Sequence, residues 1–140
     1  MTKLGAALAD ICDRYDLVAV YAFGSRAEEI ASRVGGEDVA ANSEADVDIG
    51  VLSRSGRELG IRGRVDLMQA LEDLFGVARV DLVSLREADP FLAANIVRGE
   101  RLYARDSHAA DEYDLYVLRR AGDLAPLERE RMALILGEEQ

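Results

Sequence analysis

The sequence predicts an α/β domain of layered α+β type, in which a mixed β-sheet of about four strands is flanked by helices. Two observations support this fold class. Short apolar or alternating runs, typical of strands, recur between longer segments that carry apolar residues at helical spacing. A length of 140 residues suits one domain with its own core, so we expect a single domain over 1–140. Its core is expected in 1–105, with a C-terminal helical region in 106–140.

The first half of the chain predicts two helices and two strands. Apolar residues at helical spacing predict a helix over 3–14. The nearly continuous apolar run of residues 16–23 is typical of a strand covered on both faces. Residues 26–34 predict a second helix, which two glycines end. A polar loop over 35–45 then leads into a second strand over 45–52.

The second half continues the alternation of helix and strand. The predicted elements are a helix over 60–75, a strand over 77–84, a helix over 87–98, a strand over 100–104 and a helical region over 107–137. Ile61 and Val65 are expected to face the core from the first of these helices, and Phe91 from the second. Gly122 and Pro126 are expected to kink the last region or to divide it into two helices.

Acidic residues interrupt the apolar runs of two predicted strands. Asp46 and Asp48 are two residues apart, so they lie on the same side of one strand. Asp81, within the run Val80-Asp81-Leu82-Val83, is a third carboxylate on a neighbouring strand. Carboxylates in apolar strands are costly unless a cation compensates them. Clusters of oxygen ligands suit hard divalent cations such as Mg²⁺, so these aspartates are candidate metal ligands.

Gly24, Ser25 and Arg26 follow the first predicted strand and precede the second helix. Glycine allows the backbone to approach a ligand closely, and the free N–H groups of a helix start favour an anion such as phosphate. The sequence therefore predicts a phosphate site upstream of the metal site. Alone, a Gly-Ser pair is also a common turn and helix cap, and an Asp-x-Asp pair also occurs at polar strand ends. Their conjunction with Asp81 favours the functional interpretation.

Other residues with possible chemistry are interpreted more simply. Cys12, on the apolar face of the first helix, is expected to be a buried thiol and not a nucleophile. His108 is expected to be solvated or to cap a helix. Arginine pairs, at 62 and 64 and at 119 and 120, are more typical of solvated faces than of ligands, although the first pair would meet a triphosphate if its helix overhangs the site. Tyr113 and Tyr116 are expected to pack on the core, with partner contact as the alternative.

The order of motifs, Gly24-Ser25 followed by Asp46-x-Asp48 and then Asp81, resembles that of the nucleotidyltransferase superfamily that includes DNA polymerase β. Within it the chain looks most like the minimal nucleotidyltransferases (MNT, MntA-like), which are antitoxins of HEPN-domain toxins. It departs from their pattern in the 20 residues, 26–45, between the serine and the first aspartate, a longer spacing than is usual there. A longer helix and loop can absorb this difference, because loop insertions cost little entropy.

The resemblance implies a role for each candidate residue. Asp46 and Asp48 would ligate two Mg²⁺ ions, and Asp81 would hold the catalytic ion and help to deprotonate the acceptor hydroxyl. Gly24 and Ser25 would bind the β- and γ-phosphates of ATP. Arg26 would add positive charge beside them. All six residues are therefore expected in one nucleotide-binding and catalytic site.

The implied function is that of an antitoxin enzyme, a Mg²⁺-dependent protein adenylyltransferase. It would transfer AMP from ATP to a tyrosine of a cognate HEPN ribonuclease toxin. Two alternatives remain: an antitoxin that neutralises its toxin by binding alone, and a stand-alone nucleotidyltransferase acting on a small hydroxyl compound. The partners expected are the toxin and a nucleotide. The chain itself is expected to form a hetero-complex or a homo-oligomer.

The charge and the apolar content limit the other partners. A formal charge of −10 argues against general binding to nucleic acid, which relies on cationic surfaces. No stretch of the sequence has the pattern of a signal peptide or a membrane span, so we expect no membrane partner and a cytoplasmic location.

Overall fold

The structure, a computed structural model, describes residues 1–37 and 45–137. The helices and strands in chain order are α1 (Lys3–Tyr15), β1 (Leu17–Phe23), α2 (Ala27–Val34), β2 (Val47–Ser53), α3 (Ile61–Phe75), β3 (Val80–Ser84), α4 (Pro90–Val97), β4 (Glu100–Ala104) and α5 (Ser107–Ile135). These elements confirm the predicted alternation. Most of the predicted polar loop, residues 38–44, lies outside the described residues.

The four strands form one mixed sheet with the order β3-β2-β1-β4. Strand β1 is antiparallel to both β2 and β4, and β2 is parallel to β3. The predicted fold class, a layered domain with a mixed four-stranded sheet, is confirmed. Because both faces of the sheet are covered, the central strand β1 is buried along nearly its whole length.

Each face of the sheet has its own apolar core. Leu8, Ile30 and Leu71 of helices α1 to α3 pack against one face. Ile96 of α4 and Val117 of α5 pack against the other. The thiol of Cys12 is buried in the first core, as predicted, and burial raises its pKa to about 12. A thiol that stays protonated at neutral pH is not a nucleophile.

Three predictions about the helices are wrong. Ile61 is 86% exposed and Val65 is also exposed, because both lie outside the helix face that buries Leu67, Leu71 and Phe75. Phe91, in the first turn of α4, is exposed as well. Helix α5 is one continuous helix with Pro126 inside it, so the predicted division into two helices is wrong, and the alternative of a kink stays a prediction. A single proline removes one backbone hydrogen bond, and the many bonds on either side of it maintain the helix.

A polar cluster fixes α5 to the sheet. The hydroxyl of Tyr21 on β1 donates to the carboxylate of Asp114 on α5. Arg101 on β4 donates from Nη2 to the other oxygen of that carboxylate at 2.6 Å, and also pairs with Asp111 at 2.8 Å. Every buried side-chain nitrogen and oxygen in the described residues has a hydrogen-bond partner. The cluster therefore anchors α5 to the strands β1 and β4.

Helix α4 lies close to the sheet because two glycines leave room for backbone contact. A Cβ atom on Gly50 of β2 would lie 2.5 Å from Cγ2 of Ile96. A Cβ atom on Gly99, which follows α4, would lie 2.5 Å from the carbonyl oxygen of Ala22. Both contacts are shorter than carbon and oxygen atoms tolerate. This approach places the end of α4 beside the end of β1, where the candidate site begins.

Candidate active site

The three predicted aspartates lie at one end of the sheet, on the face covered by α4 and α5. Asp48 on β2 is paired with Phe23 of β1 and with Asp81 of β3. Asp46 directly precedes β2, two residues before Asp48, so its side chain points to the same side. Because β2 and β3 are parallel, their first residues meet at the same edge. The structure thus brings the carboxylates of two strands together, as their positions in sequence predicted.

The carboxylates are close enough to influence one another. Burial raises the pKa of Asp48 above its usual value, and the negative charges of Asp81 and Asp46 raise it further. Asp81 is exposed and Asp48 is half-buried. Arg79 approaches Asp46 only loosely, with 3.9 Å between Nε and Oδ2 on two well-exposed side chains. Negative charge is therefore concentrated at this edge and is weakly compensated by the protein.

A divalent cation suits this concentration of charge. The donor set consists of carboxylate oxygens, which are the ligands that Mg²⁺ prefers. Across residues 1–37 and 45–137, no three acidic, imidazole or thiol side chains lie close enough to form a preformed metal cluster. The aspartates fit the cation in chemistry and in placement on one edge, and a bound cation would draw their side chains together.

Gly24 lies directly against Asp48. Its φ is +75°, a conformation that favours glycine, and a Cβ atom built on it would lie 2.3 Å from Oδ2 of Asp48. The backbone of the turn after β1 is thus packed closely against this carboxylate. The predicted phosphate turn and the predicted metal ligands are in contact.

Ser25 follows in the same turn and is exposed. Helix α2 has no side-chain cap, and the Ser25 hydroxyl makes no hydrogen bond within the described part of the chain. Ser25 therefore does not cap α2 with its side chain, which was the alternative interpretation. The hydroxyl is available to a ligand that approaches the aspartates.

Arg26 is buried, with 6% of its surface exposed, and makes three hydrogen bonds. It donates from Nε and Nη2 to both carboxylate oxygens of Glu29, at 3.1 and 2.7 Å. It also donates from Nη1 to the carbonyl oxygen of Ala45 at 2.9 Å. Ala45 is the residue before Asp46, so this arginine ties the start of β2 to the Gly24-Ser25 turn. A phosphate contact by Arg26 stays a prediction.

Sequence reasoning missed Glu29, the counterion that holds this arrangement. Its carboxylate is buried and pairs with Arg33 at 2.8 Å as well as with Arg26. The signal was present, because residues 26, 29 and 33 are spaced at i, i+3 and i+7 along one helix face. An acidic residue on that face, between two arginines, indicates a pair that a helix can bury.

The pair predicts a pH-dependent loss of stability in a Glu29→Gln variant. The hydrogen bonds from Arg26 lower the pKa of Glu29; burial opposes them, and the charges of Arg26 and Arg33 add to them. Removing the charge takes away the counterion that accepts two hydrogen bonds from the buried Arg26, which should cost about 3 kcal/mol of unfolding free energy at pH 7. A carboxyl with a lowered folded pKa stabilises above its unfolded pKa and loses that contribution as pH falls through the folded value.

Urea unfolding of the wild type and of Glu29→Gln at pH 7 and at pH 3 checks this prediction. The difference between them should shrink at the lower pH, because the Glu29 carboxyl of the unfolded wild type takes up a proton below its ordinary pKa. Glu28→Gln, one residue away on the exposed side of α2, is the matched control and should change little at either pH. An equal difference at both pH values would contradict the prediction.

Each remaining polar candidate has its own surroundings. Arg64 pairs with Glu87 at 2.6 Å and donates to the carbonyl oxygen of Leu82, the residue after Asp81 on β3. Arg62 is exposed. His108 is an exposed residue in the first turn of α5 and pairs with Glu112 at 2.8 Å. The interpretation as solvated side chains agrees with the positions of Arg62 and His108, whereas Arg64 is half-buried and paired.

A sequence-family comparison bears on this arrangement. The model of the family "Polymerase beta, Nucleotidyltransferase" matches residues 7–108, a segment that contains all six candidate residues. The chain belongs to this family. A sequence comparison with curated proteins gives no significant match. Its nucleotidyltransferase domain therefore comprises the sheet, helices α2 to α4 and most of α1, and α5 lies almost wholly outside the matched segment.

Solved structures share the fold of this nucleotidyltransferase over nearly its whole length. A toxin–antitoxin complex with AMP-PNP is 24% identical with a TM-score of 0.64, over 94% of each chain. A tri-AMPylated HEPN toxin of Shewanella oneidensis in complex with its MNT antitoxin matches at 23% identity and a TM-score of 0.63, over 94% of this chain and 92% of that chain. The MntA–HepT toxin–antitoxin matches at 22% identity and a TM-score of 0.63, over 94% and 93%.

No helix in the described ranges combines the length and the apolar character that crossing a membrane requires.

Proposed function

We propose that the protein is an MNT-type antitoxin that transfers AMP from ATP to a tyrosine of a HEPN-domain toxin. The observation that carries this proposal is the contact between the Gly24 turn and Asp48, at an edge that also holds Asp46 and Asp81. A nucleotidyltransferase needs a phosphate site beside a metal site, and these residues supply both. The similar structures of a tri-AMPylated HEPN toxin with MNT antitoxin, and of a toxin–antitoxin with AMP-PNP, support the choice of substrate and partner.

The transfer is an in-line substitution at the α-phosphate of ATP. The bond between the tyrosine oxygen and the α-phosphorus forms, the bond to the β-phosphate oxygen breaks, and pyrophosphate leaves. Asp46, Asp48 and Asp81 would hold two Mg²⁺ ions, which neutralise the charge that develops on the attacking and leaving oxygens. The proton of the tyrosine hydroxyl passes to the exposed carboxylate of Asp81.

The turn and the buried arginine position the nucleotide. The backbone N–H groups of Gly24 and Ser25, with the Ser25 hydroxyl, donate to the β- and γ-phosphates. Arg26 acts indirectly, because its hydrogen bond to the Ala45 carbonyl fixes the segment that carries Asp46 and Asp48. Reacting groups placed in this way need little reorganisation during the transfer.

The exposure of Asp81 bears on the alternative acceptors. A small hydroxyl compound needs a narrow pocket beside the catalytic carboxylate, whereas a tyrosine on a protein loop needs open access. Asp81 is exposed. This favours a protein acceptor over a small molecule.

Transfer of α-³²P label from ATP with Mg²⁺ onto the product of the adjacent gene tests the proposal. Label should appear on that protein with the wild type and disappear with an Asp46→Asn, Asp48→Asn double variant. A stable complex that blocks the toxin without any label would show neutralisation by binding alone and overturn the enzymatic proposal. Labelling by the double variant would overturn the assignment of the site.

A further inference from the structure

A groove lies between α5 and the segment that joins β3 to α4. Its lining includes Leu85 and Arg86 from that segment, and Tyr113, Tyr116 and Arg120 from α5. We call it the tyrosine–arginine groove. Leu85 follows the far end of β3, four residues after Asp81, which places it about 13 Å along the strand from the catalytic edge. The groove is therefore separate from the candidate active site.

Arg86 is held in the groove by the protein itself. Its Nε–H donates to the carbonyl oxygen of Ser53 at 2.8 Å, and its guanidinium lies 5.2 Å from the centre of the Tyr113 ring. Glu58 is 4.0 Å from the same Nε, at the limit of an ion pair. The remaining donors of the guanidinium are thereby preorganised at the groove, with the plane fixed by the ring and by the backbone.

Arg120 supplies a second cation from the opposite wall. It lies one helical turn after Tyr116, on the same face of α5. It is exposed, and within the described residues it has no hydrogen-bond or ion-pair partner. Burial raises the pKa of Tyr113, and the positive charges of Arg86 and Arg120 both oppose that shift. The two guanidinium groups thus act on the same ring from two elements of the fold.

The lining offers an aromatic surface as well as charge. Tyr113 and Tyr116 form a tilted pair with 5.7 Å between ring centres, and Tyr116 is 53% exposed. The groove holds about 270 Å³. That is just below the range of roughly 300–1,000 Å³ for small-molecule sites. Among the described residues no carboxylate lines it, in a chain whose net charge is −10.

We propose that the tyrosine–arginine groove is a second nucleotide site, which binds a nucleoside phosphate with its base on Tyr116 and its phosphate between Arg86 and Arg120. Two arginines facing one space match the oxygens of a phosphate group. An open tyrosine ring stacks on any base. The size of the groove fits a compact ligand better than an extended acidic peptide. The site does not depend on transfer at the aspartates.

Calorimetric titration of AMP into the Asp46→Asn, Asp48→Asn double variant, with EDTA present, tests this site. The double substitution and the chelator remove the metal-dependent site, so a failure here is distinct from a failure of the proposed transferase. We expect saturable binding of one AMP per chain. Inorganic phosphate and adenosine should each bind about tenfold more weakly than AMP. Phosphate lacks the base that stacks on tyrosine, and adenosine lacks the phosphate that the arginines bind.

Variants of the groove in the same double-variant background complete the experiment. Arg120→Gln should weaken AMP binding about tenfold. Arg119→Gln is the matched control, since it removes the same charge from the neighbouring exposed position outside the groove and should leave binding unchanged. Tyr116→Phe should retain binding and Tyr116→Ala should lose it. The absence of saturable AMP binding, phosphate binding as tight as that of AMP, or equal losses in both arginine variants would overturn the proposal.

Discussion

An Asp48→Asn variant is expected to lose nucleotide transfer by at least about 10³-fold while it keeps its fold, because the cation contributes several kcal/mol to the transition state. Asp48 is the central carboxylate of the three: it is paired with Asp81 across the parallel strands and lies two residues from Asp46. The amide that replaces it has nearly the same shape but carries no charge. It therefore removes the central one of the three proposed metal ligands without leaving a cavity.

Stability should not fall with activity in this variant. Burial and the two acidic neighbours destabilise the charged form of Asp48, so removing the charge relieves repulsion. The thermal midpoint without metal should be equal to or above that of the wild type. Mg²⁺ should raise the midpoint of the wild type and not that of the variant, since a ligand stabilises only the state that binds it.

Rates of transfer and thermal midpoints with and without Mg²⁺ check both parts. Asp66→Asn, an exposed change of the same kind on α3, is the matched control and should behave as the wild type does. Transfer by Asp48→Asn within about tenfold of the wild-type rate would remove Asp48 from the metal site. A large loss of stability would instead show that the carboxylate has a structural role.

Gly24→Ala is the second substitution with a large expected effect, and the loss should be in activity more than in stability. The new Cβ would lie 2.3 Å from Oδ2 of Asp48. Because that oxygen ends a flexible side chain, the carboxylate can rotate away and the backbone need not move. Rotation would displace a proposed metal ligand, and we expect transfer to fall at least about 10²-fold, because small misplacements of reacting groups cause losses of that size. The left-handed backbone adds about 1–2 kcal/mol of instability.

Gly56→Ala separates these two effects. Gly56 has a φ of +79°, nearly that of Gly24, but a Cβ atom there would meet nothing within 4 Å. It lies beyond the other end of β2 from the aspartates. Chemical denaturation should show similar losses of stability in both variants, while transfer falls only in Gly24→Ala. Equal rates in the two variants would mean that the contact with Asp48 does not matter for catalysis.

The two predictions share a structural cause. Strand pairing puts the turn after β1 against the first residues of β2, so one carboxylate is in contact with both the phosphate turn and the second acidic strand. Arg26 adds a fixed link from that turn to Ala45. The proposed phosphate turn and the proposed metal ligands are therefore in direct contact, and a change in one is expected to displace the other.

Local patterns in the sequence were sufficient for the elements and for the candidate residues. A side-chain period of two placed Asp46 and Asp48 on one side of a strand, and helical spacing located the helices to within a few residues. The division predicted at Pro126 and the inward placement of Ile61 were wrong. Whether a helix continues through a proline, and which of its apolar residues meet the core, depends on the elements packed against it, and the sequence of the helix alone does not contain that information.

The sequence by itself determined which residues carry charge into apolar strands, because alternation and composition are properties of a few consecutive residues. Only the tertiary structure decided that Asp81 pairs with Asp48, that Gly24 touches the same carboxylate, and that Arg26 donates to the carbonyl oxygen of Ala45. These contacts depend on strand order and register, which arise when distant segments bury their apolar faces together. They join segments up to 33 residues apart for Asp48 and Asp81, a separation over which no local pattern acts.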